Sequence, residues 1–314
     1  MQSIYTSTSD GKLKKVEEIG DGVWISLINP TPEEIETVAS TCQVDTDDLA
    51  AALDVEEHSR VTPENHYVLV LVDVPTTEVG EEGARHITIP IGIVIAEKAI
   101  ITVCSKSVPV LEDLESGLVR GLATSMKTRF TLQILMRTAR SYLSALKDIE
   151  KMIDKQEANL RKSTRNEALM HMLNLEKSLV YISTSLVSNQ QVLERLMRTS
   201  AIKKYPEDDD LLEDTIIENE QAMEMANIYS GILSGTMDAY ASVIANNQNA
   251  IMKTLALITI VLSIPTMIFS AYGMNVVLDG MPMALSVWGF AVVVGVSFVI
   301  ALIVMFIFIR KRWF

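Results

Sequence analysis

Cysteine is scarce. Cys42 and Cys104 are the only two among 314 residues, so no disulfide framework holds the fold, and a reducing cytosol suits the chain. The four histidines, His58, His66, His86 and His171, are scattered, and neither a CxxC nor an HExxH pattern offers paired zinc ligands. There is no glycine-rich phosphate loop and no nucleophile–base constellation, which argues against an enzyme. The first 13 residues lack an apolar stretch, so no signal peptide is expected. Basic residues are also short, 27 against 40 acids. Charge of either sign is nearly absent from residue 255 onward, where only Asp279, Arg310, Lys311 and Arg312 carry it. The first 254 residues therefore hold 39 acids and 24 bases, a balance of −15. Such a body repels nucleic acid and attracts cations.

What is present divides in two. Residues 1–115 read as α/β. Trp24-Ile-Ser-Leu-Ile28 and the run from Tyr67 to Val74 are apolar, β-branched and of strand length. The runs 87–96 and 99–103 flank Glu97-Lys98, a hairpin turn. Thr31-Pro-Glu-Glu34 starts a helix, with a capping hydroxyl, proline in the first turn and carboxylates facing the dipole. A second helix is expected from Thr46 to about Val55. From about Val108 the pattern turns helical, and residues 116–210 read as antiparallel helices separated by a polar loop at 159–165.

Residues 211–254 read as a stalk helix continuing into the apolar region. Ile216, Met223, Ser230, Met237, Ile244 and Ile251 recur every seven residues, with Leu212, Ala226, Leu233 and Tyr240 on the adjacent seam. A sustained seven-residue period implies left-handed helical assembly. A helix over 211–272 would be a rod of roughly 90 Å at 1.5 Å per residue, with Gly231 and Gly235 its weak point.

Two uncharged stretches follow. Residues 255–272 give about 27 Å as a helix and residues 283–309 about 40 Å, against a hydrocarbon core of about 30 Å. The joining loop, 273–282, has no basic residue, whereas Lys253 precedes the first span and the tail 310–314 is basic. The positive-inside rule then places both termini in the cytosol and the loop outside, in a multi-pass plasma or inner membrane protein. Asn249, Met252, Ala256, Thr259, Ser263, Thr266 and Ser270 alternate at intervals of three and four, on one face of the first span. That stripe is either a helix–helix seam or the wall of a narrow aqueous pore. A pore needs several copies, because one hairpin cannot enclose water. Pro265 frees the carbonyl of Val261, which Ser263 or Thr266 is expected to re-satisfy.

The first span closes on Tyr272-Gly273-Met274-Asn275, and the chain ends Arg310-Lys-Arg-Trp313-Phe314. A Gly-Met-Asn triplet between two C-terminal spans, with a basic-aromatic tail, resembles the CorA family of divalent-cation channels. Trp24-Ile-Ser-Leu with Pro30-Thr-Pro-Glu-Glu34, and Leu53-Asp-Val-Glu-Glu-His-Ser-Arg60 before Asp73-Val-Pro75, are similar to that family's soluble domain. The resemblance implies a funnel-shaped homopentamer in a lipid bilayer: an α/β cytosolic domain, a long helical stalk and a two-helix transmembrane hairpin. It implies Mg²⁺ as substrate and regulatory ligand, and no cofactor. Gly273, Met274 and Asn275 would form the external selectivity ring, with Gly273 leaving the helix in a conformation that other residues avoid. Met252 and Leu255 would form a hydrophobic gate that closes by dewetting.

The loop reads Met281-Pro-Met-Ala284 where the family commonly has Met-Pro-Glu-Leu, leaving Asp279 as its only acid. Counting back without gaps from Asp238-Ala-Tyr240 places Asp214 at the family's sensing aspartate on the stalk. Its partner would come from a neighbouring subunit, among Asp73, Glu78 and Glu81. The acidic run 207–210 reads first as a solvated helix start. Three functions remain open at this level: a Mg²⁺ channel, a Zn²⁺, Co²⁺ or Ni²⁺ transporter on the same fold, and a non-conducting membrane-anchored coiled coil.

Overall fold

The computed structural model describes residues 2–8, 11–80, 83–117, 119, 121–162, 166–199, 202, 205–275, 281–283 and 286–310. The chain divides into two compact units, Met1–Met237 and Asp238–Phe314. The first contains β1 (Gln2–Ser7), β2 (Leu13–Val16), β3 (Val23–Ile28), α1 (Pro32–Cys42), α2 (Thr46–Ala51), β4 (Arg60–Pro63), β5 (Tyr67–Gly80), β6 (Gly83–Ala96), β7 (Ala99–Cys104), α3 (Pro109–Glu115), α4 (Lys127–Lys162) and α5 (Asn166–Arg198). Helix α6 (Pro206–Tyr272) contributes to both units, and α7 (Gly289–Arg310) lies in the second.

The seven strands form one sheet in the order β2-β1-β3-β7-β6-β5-β4, antiparallel except for the parallel β3–β7 pair. Alternate residues of each strand enter two separate cores. Trp24, Val70, Val72 and Ile91 face one, with Phe130 of α4 and Leu193 of α5. Ile25, Leu69, Leu71 and Ile101 face the other, with Val38 of α1 and Leu49 of α2. Burial on both faces explains why β5 reads as a continuous apolar run and not as an alternation. Gly92 marks the closest approach of α2, because a Cβ there would lie 2.9 Å from the Ala52 methyl.

Trp24 is fully buried, stacks on Tyr5 with ring centroids 5.1 Å apart, and donates its indole N–H to Thr102 Oγ1 at 2.9 Å. The expected capping box at Thr31 forms: Glu34 N–H donates to Thr31 Oγ1 at 3.3 Å and Thr31 N–H to Glu34 Oε2 at 2.9 Å.

Several elements differ from the sequence reading. Helix α2 ends at Ala51 instead of about Val55, because Leu53 N–H turns back to the Ala50 carbonyl and Asp54 Oδ1 accepts from Glu56 N–H. Strands β1, β2 and β4 were not expected; they are short and mixed in polarity, and they lie at or next to the sheet's edges. Helix α4 starts only at Lys127 and runs on to Lys162, into the span expected as a polar loop; residues 163–165 lie outside the described residues. Helix α6 passes Gly231 and Gly235 without a break. Its buried seam is Leu212, Asn219, Ala226, Leu233 and Tyr240, while Ile216, Met223, Ser230, Met237 and Ile244 are half-buried. Asn219 belongs there because its amide donates to the Leu186 carbonyl at 3.1 Å and to Gln190 Oε1 at 2.9 Å on α5.

One side chain completes the sheet. The pairing of β4 with β5 stops at Arg60 and Leu71. Two residues further on, Asn189 of α5 supplies the next rung: it accepts Asp73 N–H at 2.9 Å and donates to the Asp73 carbonyl at 2.8 Å. Ser59 Oγ also donates to Asn189 Oδ1, at 3.3 Å. Asn189→Ala leaves both backbone groups unpaired, at about 1–3 kcal/mol for each buried group. The melting temperature of the full-length protein is expected to fall by about 2–4 °C per kcal/mol lost; an unchanged melt would show the rung to be dispensable.

Candidate ion path and acidic residues

Hydrocarbon offers no hydrogen bonds, so a helix crossing it must satisfy its own backbone. Two helices, Pro206–Tyr272 and Gly289–Arg310, are long and apolar enough to cross a membrane. In the apolar part of α6 the half-covered positions are Leu257, Val261, Ile264, Pro265 and Ile268, one side of the helix. Asn249, Met252, Ala256, Thr259, Ser263, Thr266 and Ser270 all lie on the open side. The stripe is therefore not a seam within this chain. In α7 the buried positions are Gly289, Ser297 and Ala301, all small, as close packing of membrane helices requires.

Three of the stripe's hydroxyls turn back onto their own helix. Thr259 Oγ1 donates to the Leu255 carbonyl, Ser263 Oγ to Ile260 and Thr266 Oγ1 to Leu262, each at 2.9 Å. A hydroxyl whose proton is engaged in this way presents only oxygen lone pairs outward. This corrects the expectation at Pro265: neither Ser263 nor Thr266 reaches Val261, because a hydroxyl reaches the carbonyl three or four residues before it. The gate candidates Met252 and Leu255 are 63% and 56% exposed.

At its end α6 closes with Gly273 N–H donating to the carbonyls of Phe269 (2.9 Å) and Ser270 (3.2 Å). Gly273 is not among the residues with positive φ, and a Cβ there would meet nothing nearer than 3.4 Å. The expected left-handed exit at Gly273 is thus corrected; one bifurcated N–H, shared by two carbonyls, ends the helix without it. Met274 is 60% exposed and Asn275 is exposed beside it; Asp279 lies outside the described residues. Tyr272 hydroxyl donates to the Pro282 carbonyl at 3.0 Å, across the Gly-Met-Asn segment. Helix α7 begins at Gly289, six residues later than expected at 283. The cause is a turn: Met283 has φ 63°, and its carbonyl accepts Ser286 N–H at 3.1 Å.

The acidic candidates differ in their settings. Asp214 is exposed on α6. Glu78 is exposed and paired with Arg85 at 3.1 Å, and Glu81 lies outside the described residues. Asp73 is half-buried beneath α5; burial raises its carboxyl above the ordinary value, opposed by Ser185 and by His58. Tyr142, fully buried nearby, is pushed well up by burial and by the Asp73 charge. Among the described residues no group of three potential metal-binding side chains gathers.

Residues 20–311 match the family described as CorA-like Mg²⁺ transporter protein. The chain belongs to this family. A cobalt/magnesium transport protein CorA of Methanocaldococcus jannaschii is 28% identical over 328 residues, covering 100% of both chains. One of Thermotoga maritima is 29% identical over 199 residues, 62% of this chain and 55% of that protein. The complete structure of the CorA magnesium transporter from M. jannaschii matches with a TM-score of 0.85 at 26% identity, covering 100% of this chain and 99% of that one. The soluble α/β domain, the long helix and the C-terminal apolar helix are thus the CorA fold, and the CorA family is one of membrane-embedded transporters.

Tyr272 adjoins the CorA triplet, and its hydrogen bond to Pro282 is not legible in the sequence. Its acceptor is a backbone carbonyl, which leaves no trace in residue identity. For Asp73, a carboxyl whose folded pKa is raised costs stability at pH above that value, and the cost fades as pH falls toward the ordinary one. Asp73→Asn is expected to stabilise the protein at neutral pH, the gain shrinking as pH falls from neutral toward the ordinary carboxyl value. Thermal melts of both proteins across that range test it; a pH-independent difference would refute the burial account.

Proposed function

We propose that this CorA-family chain is a channel that conducts Mg²⁺ down its electrochemical gradient, as a homopentamer with both termini in the cytosol. The observation that carries the reading is the open stripe on α6, whose hydroxyl oxygens turn lone pairs outward and which ends at Gly273-Met274-Asn275. Several copies placing this face around an axis would line a path with acceptors for the hydrogens of a hydrated cation.

Mg²⁺ wants six oxygens at about 2.0–2.1 Å and sheds water reluctantly. A ring of Asn275 amide carbonyls accepts hydrogen bonds from the hydrated ion without stripping it. Carboxylates there would hold the ion longer, and conduction needs weak sites. Met252 and Leu255 form the apolar constriction. A thioether is too soft to ligate Mg²⁺, so Met252 is a barrier and not a site. Cytosolic divalent cation regulates the channel by bridging acidic faces of neighbouring subunits, with Asp214 as one ligand and its partner among Asp73, Glu78 and Glu81. An ion that offsets their mutual repulsion binds the closed arrangement better and shifts the balance by that difference in affinity.

Transport of Co²⁺, Zn²⁺ or Ni²⁺ is the second reading, favoured by the cobalt/magnesium naming of the M. jannaschii and T. maritima relatives. Proteoliposome uptake of Mg²⁺ in competition with Zn²⁺, Co²⁺ and Ni²⁺ separates the two: Mg²⁺ uptake is expected to persist, and its loss to equimolar Co²⁺ would favour the second.

Asn275→Ala is expected to abolish uptake while the oligomer keeps its size, because the change removes the ring's carbonyls and touches no core. Wild-type flux through that variant would sink the selectivity ring. Met252→Ser is expected to raise basal flux, because a polar ring wets more readily. A non-conducting but assembled Met252→Ser protein would contradict dewetting as the gate.

A further inference from the structure

We propose that Tyr272 is a positioning residue for the Asn275 ring, its hydroxyl tying the end of α6 to the start of α7 so that the Gly-Met-Asn segment hangs between two fixed feet. This rests on the selectivity-ring reading. The first foot is the Tyr272 hydroxyl, which donates to the Pro282 carbonyl at 3.0 Å. The acceptor sits on a residue whose ring fixes φ, which removes one of the two backbone rotations that could move the carbonyl.

The second foot adjoins it. Met283 holds a left-handed φ of 63°, uncommon for a side chain of its kind. Its carbonyl lies so close to α7 that a Cβ on Gly289 would be 2.2 Å from the oxygen. Gly289, the first residue of α7, is buried in that contact. Pro282 is thereby seated on α7 through its neighbour, and Tyr272 binds α6 to that seat.

Between the feet, Gly273 N–H is spent on Phe269 and Ser270, and Met274 N–H approaches the Ala271 carbonyl at 3.5 Å. Asn275 stands three residues beyond Tyr272, a short lever. A shift of the clamp is therefore passed to the amide that meets the hydrated ion. An aromatic residue at a membrane boundary has a simpler use, as an interfacial anchor. That use needs the ring, whereas the clamp needs the hydroxyl donor.

Tyr272→Phe keeps the ring and removes the donor, and Tyr272 is 37% exposed, so packing is little disturbed. In proteoliposomes of the full-length protein, half-saturating Mg²⁺ is expected to rise about twofold to tenfold, the range for one neutral hydrogen bond. Maximal flux per oligomer should change less than that, and oligomer mass should be that of wild type. Gly289→Ala pushes on the same seat from α7 and is expected to raise half-saturation as well. Unchanged half-saturation in Tyr272→Phe, or a loss of assembly in its place, overturns the clamp. Asn275→Ala in the same preparation separates the two ideas. If it is dead while Tyr272→Phe behaves as wild type, only the clamp fails; if it conducts normally, the ring itself fails.

Discussion

The second unit is governed by one constraint: a backbone in hydrocarbon must find its hydrogen bonds within its own helix. This is why α7 and the part of α6 from residue 255 onward are uninterrupted and nearly free of charge, and why the departures from regularity are few and local. Pro265 is the one proline inside α6, placed on its half-covered side. Thr259, Ser263 and Thr266 on the open side satisfy the same rule by bonding inward, which lets these hydroxyls sit in an apolar span with their donors met. Among the described residues of this unit beyond the start of α6's apolar part, irregular backbone lies between the helices, at positions such as Gly273, Asn275 and Met283.

The first unit answers to water instead, and it solves the burial problem with a sheet covered on both faces. Its two cores share the strands, so the central strands β3 and β7 and residues 67–74 of β5 are apolar at most positions. Several polar groups in the interior are met by partners that the geometry supplies: Asn219 with Gln190, Asn189 with the Asp73 backbone, and the Trp24 indole with Thr102. Asp73 is less well served, a carboxyl that burial makes costly and that Ser185 only partly relieves.

Much of this was legible in residue order. The central strands β3, β5, β6 and β7, the capped start of α1 and the apolar C-terminal helices follow from periodicity, capping chemistry and the absence of charge. The strands β1, β2 and β4 were not, because short strands at or near a sheet edge take their burial from neighbours and carry little pattern of their own. The start of α7 was misjudged for a related reason. Residues from 283 onward are as apolar as the helix itself, and composition cannot register a methionine turned left-handed. At the ion path the stripe could be read from intervals of three and four. Which side of the helix stayed open could not, since that depends on where the bulk of the chain packs. The Tyr272 clamp was hidden because its acceptor is main chain.

Asn189 belongs to a helix but occupies the place of a strand. A helix resting on a sheet through aliphatic contacts alone can slide by small steps, since one apolar neighbour replaces another at little cost. An amide locked to both the N–H and the carbonyl of a single residue has no equivalent place one step along. Helix α5 and strand β5 are therefore geared together, and any displacement of the outer helical layer must either carry the sheet with it as a rigid body or disengage that tooth first.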